Sequence, residues 1–251
     1  MEHSIITECL CKSFGEKQVL NSISLKVKKG EIFGLLGPSG AGKTTFLNIL
    51  TGQIQADSGK GLIFGQNIRE FTAQMYTRIG MLLDNCGLYA RLSGYQNLKI
   101  MSIIYGLSDD EIIEVLKEVE LLADKDKAVF RMSKGMQQRL AFAKAILNKP
   151  EILFLDEPTT YLDISHQLET MNLVKKLNRE TGIGVVMVLH DLAQAMEVSD
   201  HVIVIRNGEK YGEGAPQDVI TSKMMKDVYQ VECEILHVAG REKPLLAYAA
   251  I

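Results

Sequence analysis

The chain has 251 residues and a mass of 27.9 kDa, enough for one large or two small hydrophobic cores. Its formal charge of -3 excludes a nucleic-acid binder that works through a broad basic surface, and 46% hydrophobic with 24% charged residues are globular proportions. No apolar run approaches the roughly 18 to 20 residues that span a bilayer, and Met1-Glu2-His3-Ser4 offers neither the basic start nor the apolar stretch of a secretory leader; a cytosolic chain that reaches a membrane only through a partner is expected.

Ile5 to Cys11 reads as a strand, followed by Val19 to Val27, where Ile23, Leu25 and Val27 alternate. Cys9 and Cys11 would share one face of the first strand. With Cys86 and Cys233 they read as buried thiols of a reducing compartment, because no further ligands cluster around a Cys-x-Cys pair. The five histidines show no metal-ligand spacing. Glu31-Ile32-Phe33-Gly34-Leu35-Leu36 is an apolar run of buried-strand type. It leads into Gly37-Pro38-Ser39-Gly40-Ala41-Gly42-Lys43-Thr44-Thr45, which fits G-x-x-x-x-G-K-[ST], the phosphate-binding loop of P-loop NTPases. Thr44 to Leu50 can then start a helix, so backbone N–H groups and a helix N-terminus converge on an anion. In such a loop the lysine reaches the β- and γ-phosphates and the next hydroxyl binds Mg²⁺; here these are Lys43 and Thr44.

Further along, Gly59 to Phe64 is a short strand between turn residues. From Tyr95 to Leu147 the pattern becomes helical: Ile112, Val115, Leu116, Val119 and Leu122 recur at helical spacing after the capping signal Ser108-Asp109-Asp110-Glu111. Strands return at Ile152 to Leu155, Val185 to Leu189 and Val202 to Ile205, with a helix from about Ser165 to Glu180 and a tight hairpin at Asn207-Gly208. The simplest architecture is a parallel α/β core interrupted by a helical insertion. Ile152 to Leu155 ends in Asp156-Glu157. On its own this is a solvated turn. Beside a phosphate-binding loop, Asp156 is a candidate for the Mg²⁺ hydration shell and Glu157 for orienting or deprotonating the attacking water.

Met132-Ser133-Lys134-Gly135-Met136-Gln137-Gln138-Arg139 stands at the start of a helix, where an anion is favoured. It resembles the signature sequence of ATP-binding cassette (ABC) transporter ATPases, usually Leu-Ser-Gly-Gly-Gln, with Met132, Lys134 and Met136 as variations. The resemblance extends over nearly the whole chain. It implies an α/β fold with a P-loop NTPase (RecA-like) core, an N-terminal antiparallel β subdomain and an inserted α-helical subdomain. Residues 1–251 would form one ABC ATPase domain: core and β subdomain over 1–83 and 151–215, helical signature subdomain over 84–150, and tail over 216–251. It also implies roles. Ser133, Gly135 and Gln137 would touch the γ-phosphate of ATP on the opposite subunit. Phe14 would stack on adenine, against the plainer reading of a core Phe. Asp163, in Thr160-Tyr161-Leu162-Asp163, would bridge the subunits, and His190 would contact the γ-phosphate.

Two features depart from the common pattern. Where the family has its Q-loop glutamine, aligned through Ile79-Gly80-Met81-Leu82-Leu83, this chain has Asp84, which only accepts hydrogen bonds and would sit near Mg²⁺ or its water. The subfamily signals also divide. Ile79 to Leu98 resembles exporters of bacitracin and lantibiotic peptides, in which an acid often replaces that glutamine. Glu157 to Gln167, Val188 to Ala195 and Asp227 to Glu232 resemble importers of iron–siderophore, haem and cobalamin chelates. Asp156-Glu157-Pro158-Thr159 is common to both, so a recombinant hybrid joined there and a natural member with mixed features both fit.

The resemblance implies an ATP-hydrolysing subunit that pairs as a homodimer or heterodimer and drives an integral membrane permease from the cytoplasmic face of the membrane, with ATP and Mg²⁺ bound and no nucleic acid. Two alternatives stand beside it: an ATP-binding module with impaired hydrolysis, and a soluble ABC ATPase of DNA repair or translation. Against the latter, the chain has one P-loop and no coiled-coil insertion. A metabolite kinase would lack the signature segment and the histidine.

Overall fold

The computed structural model describes residues 2–83, 87–160, 162–238, 240 and 243–248. In chain order the first elements are β1 (His3–Phe14), β2 (Lys17–Lys28), β3 (Ile32–Leu36), α1 (Lys43–Leu50), β4 (Ser58–Ile63), β5 (Gln66–Asn67), α2 (Ala73–Arg78), β6 (Ile79–Leu82), α3 (Gly94–Tyr105) and α4 (Asp109–Glu118). There follow α5 (Lys134–Ile146), β7 (Ile152–Asp156), α6 (Ile164–Thr181), β8 (Gly184–Val188), α7 (Leu192–Val198), β9 (His201–Arg206), β10 (Glu209–Gly214), β11 (Cys233–Leu236) and β12 (Leu245–Tyr248). These divide into two compact units, Met1–Phe71 with Gly184–Ile251, and Thr72–Ile183.

The first unit carries an antiparallel sheet in the order β2-β1-β4-β5, the β subdomain expected from the sequence. Simple alternation along β1 breaks at a bulge: Cys9 has φ +49°, and the pairing with β2 shifts between Thr7 and Leu10. The bulge turns Leu10 into the core at 1% exposure and leaves Cys9 outside. The expected burial of both thiols therefore does not hold; Cys9 is exposed and Cys11 half-buried. In the same unit β8, β3 and β9 run parallel, with β10 antiparallel at the edge beside β9. Every residue of β3 and β8 is buried, which is why both read as continuous apolar runs rather than alternating ones. Asn207 and Gly208 join β9 to β10 with φ +51° and +78°, the left-handed pair that a two-residue hairpin turn takes. Phe33, Leu35, Leu36, Phe46 and Leu47 are fully buried, and each such side chain contributes about 1.5–3 kcal/mol through removal from water. An antiparallel pair, β11 with β12, lies in what the sequence showed only as a tail.

The second unit holds β6 and β7 as a parallel pair, Ile79 opposite Ile152 and Leu82 opposite Leu155, together with α2 to α6. The expected helical stretch resolves into α3, α4 and α5. Ser108 and Glu111 form the anticipated reciprocal cap on α4: the Glu111 N–H donates to the Ser108 hydroxyl at 3.4 Å and the Ser108 N–H to Glu111 Oε2 at 2.9 Å. The helix stops at Glu118, and the buried Val119 serves as its C-cap. Leu98, Ile112, Leu116, Leu140, Phe142, Leu153 and Phe154 are among the buried apolar residues of this unit. The expected signature segment, 84–150, falls wholly inside it, alongside β7 and α6.

Candidate functional site

In the first unit β3 delivers the chain into the glycine-rich loop, and α1 begins at Lys43 with Gly42 as its cap at φ +106°. Gly37 has φ +143°, and a Cβ there would lie 2.1 Å from the Ile205 carbonyl oxygen, so only glycine allows the loop to press against β9. The buried Lys43 ammonium donates to the carbonyl oxygens of Gly37 at 2.8 Å and Pro38 at 3.0 Å. Thr44 is exposed and Thr45 half-buried at the first turn of α1, while Ser39 and Gly40 lie exposed on the loop. Ala41 is braced from behind, its carbonyl accepting the Gly208 N–H at 3.2 Å. The Asn207-Gly208 turn thus supports the loop as well as closing a hairpin. Sequence reading found the turn but had no signal for this contact.

Because β8 pairs in parallel with β3, Leu35 opposite Val188, the exposed His190 just beyond β8 emerges at the same strand ends as the loop. Ligands of open parallel sheets gather at such edges. Phe14 ends β1 at the hairpin facing Lys17. It is 50% exposed, so it is no core residue. Lys12 Nζ lies 5.4 Å from its ring centroid and 2.7 Å from Asp57 Oδ1, and Asp57 Oδ2 accepts the Ser13 N–H at 2.6 Å. The Lys12 ammonium first, and the Ser13 N–H second, hold the Asp57 carboxyl below the usual carboxylate range.

In the second unit Asp156 closes β7 at 4% exposure. Glu157 follows with φ +51°, a left-handed backbone that costs a non-glycine residue about 1–3 kcal/mol, and its Oε2 accepts the Thr160 hydroxyl at 3.3 Å. Ser133 caps α5, accepting the Met136 N–H at 3.2 Å. Gln137 turns its amide inward, donating to the carbonyls of Val129 and Met132, both at 3.1 Å. These bonds commit its N–H groups to holding the turn before Ser133. Asp163 caps α6, accepting the His166 N–H at 3.0 Å. Gln138 Nε2 donates to the Pro158 carbonyl at 2.8 Å, tying α5 to the turn that carries Glu157. Asp84 lies outside the described residues.

Thr44 in the first unit and Asp156 in the second each carry a hard oxygen donor of the kind that Mg²⁺ takes. Among the described residues no group of three or more His, Cys, Asp or Glu side chains is arranged to hold a metal, and no helix is long and apolar enough to cross a membrane.

Residues 20–160 match the family described as ABC transporter. The bacitracin transport ATP-binding protein of Enterococcus faecalis is 37% identical over 209 residues, covering 83% of this chain and 68% of that protein. The Fe(3+) ions import ATP-binding protein of Photobacterium profundum is 34% identical over 222 residues, covering 87% of this chain and 63% of that protein. The chain therefore spans about two thirds of these relatives' own length. Among solved structures, a bacterial ABC transporter cassette in dimeric form has a TM-score of 0.76 at 29% identity, covering 84% of this chain and 98% of that one. The same figures apply to a dimeric post-hydrolysis cassette bound to ADP and Pi. Sequence identity at this level across most of the length, carried on the same fold, leaves one conclusion: the chain belongs to the ABC transporter family, as an ATP-binding and ATP-hydrolysing subunit.

Proposed function

We propose that this subunit binds MgATP on the loop 37–45, pairs with a second ATPase subunit and drives an integral membrane permease from its cytoplasmic face. Lys43 would neutralise the β- and γ-phosphates, displacing its present contacts with Gly37 and Pro38, and the loop N–H groups would cradle them. Mg²⁺ would be held by Thr44 and Asp156, with Asp84 as a further candidate, and supplies charge neutralisation of the phosphates when bound. Phe14 would stack on the adenine, aided by its exposure. Glu157 would accept a proton from the attacking water, and His190 would steady the γ-phosphate. Ser133, Gly135 and Asp163 would face the nucleotide of the partner subunit, with Gln137 setting the Ser133 turn. The Q-loop position and the helical insertion, about residues 80–125, would carry most of the permease contact.

The observation that carries this reading is the loop itself: a left-handed glycine pressed on β9 and a buried lysine curled over the loop carbonyls. Relatives named for bacitracin transport and for Fe(3+) import each align over more than four fifths of the chain, and on this reading direction and cargo would rest with the permease. The kind of permease that copurifies in mild detergent identifies both. Glu157→Gln tests the chemistry. It should bind ATP as the parent does and release phosphate at least about a hundredfold more slowly, the usual range for loss of a general base. Phosphate release at the parental rate would remove Glu157 from the role.

A further inference from the structure

Gly135 and His166 lie against one another within the second unit. A Cβ built on Gly135 would come 2.2 Å from His166 Cδ2 and 2.6 Å from His166 Nε2, so the imidazole is seated on the first turn of α5. Its orientation is fixed from the opposite side. Asp163 Oδ1 accepts the His166 backbone N–H at 3.0 Å and lies 2.8 Å from Nδ1. The backbone N–H first, and the imidazole second, hold the Asp163 carboxyl below the usual carboxylate range. An ionised carboxylate only accepts, so Nδ1 carries the proton between them. The other ring nitrogen, Nε2, is left beside Gly135 with no hydrogen-bond partner among the described residues. In the neutral ring it presents a lone pair, and in the imidazolium it presents an N–H and a positive charge.

We propose that His166 is an additional ligand for the terminal phosphate of ATP bound by a second copy of this chain, donating from Nε2 of the imidazolium. The inference rests on the reading that Ser133 and Gly135 face that nucleotide. The positive end of α5 favours the phosphate but opposes a bare imidazolium, so phosphate arrival and proton uptake at His166 are coupled. Asp163 is the ionisable residue paired with the ring; Glu169 stands three residues further along α6, and Lys134 precedes Gly135 on α5. The sign follows. Association that adds a phosphate to His166 favours the protonated ring, so the ATP-bound dimer is tighter in mild acid and loosens as pH rises.

The test uses Glu157→Gln, which retains ATP, and measures its ATP-dependent dimer dissociation constant by sedimentation from about pH 6 to about pH 8. The same series follows with His166→Gln or His166→Asn added. His3, His190, His201 and His237 are common to all these proteins, so the difference isolates His166. The parent dimer should weaken about tenfold or more across the range, whereas the double variants should be weaker at the acid end and nearly flat. ATP binding by the monomer reports that each variant is folded. As a second readout, the His166 C2–H resonance of Glu157→Gln should titrate at higher pH with ATP than with ADP. Equal affinity and slope with and without His166, or a resonance indifferent to ATP, would overturn the inference while leaving the dimer reading intact. No ATP dimer at any pH would overturn the reading and the inference with it.

Discussion

Asp57 shows how one side chain can set the geometry around a candidate site residue. It receives Lys12 and the Ser13 N–H, and so fixes the strand end on which Phe14 stands. Its carboxyl is held below the usual carboxylate range. A depressed folded-state value means stabilisation that is present above the unfolded carboxylate pKa and lost as pH falls through the folded one. The unfolding midpoint of the parent should therefore drop on acidification through that window. Asp57→Asn, with no charge to lose, should begin less stable at neutral pH and show a shallower acid dependence. Equal slopes for the two proteins in acid denaturation would remove Asp57 from this role. Other single residues differ in how readable they were. Lys43 and Glu157 stood out as candidates because a phosphate-binding loop carries its lysine, and a neighbouring strand its acids, at fixed distances from a strand end. His166 did not stand out: a lone histidine in a helix has no spacing signature, and sequence distance conceals its contact with Gly135.

Local elements were legible wherever their own residues set their limits. The strand, loop and helix around Lys43, the cap at Ser108 and the apolar β7 follow from short-range rules. Ser108→Ala should cost about 1 kcal/mol, read as a lower urea midpoint with an unchanged slope, and Glu111→Ala a smaller part of it. A slope change would mean that α4 melts apart from its unit. Elements defined by long-range pairing were harder to read. The β1 bulge reverses the facing of Cys9 and Leu10 without leaving a turn residue behind. The pair β11 and β12 joins segments with no tight-turn dipeptide between them. The Asn207-Gly208 turn was visible as a turn, but its bond to Ala41 depends on tertiary packing.

At the scale of the whole molecule, the candidate residues are shared between the two compact units. Phe14, the loop 37–45 and His190 belong to one, and Ser133, Asp156, Glu157 and Asp163 to the other. On the proposed reading, the cap at Ser133 and the Asp163–His166 pair would face the nucleotide of another subunit. The central claim is therefore that ATP, and not ADP, draws two copies together. The most direct measurement is the sedimentation of Glu157→Gln with saturating MgATP, compared with MgADP. The account predicts a dimer with ATP that dissociates when ATP is replaced by ADP. A monomer under both conditions, from protein that demonstrably binds ATP, would contradict it.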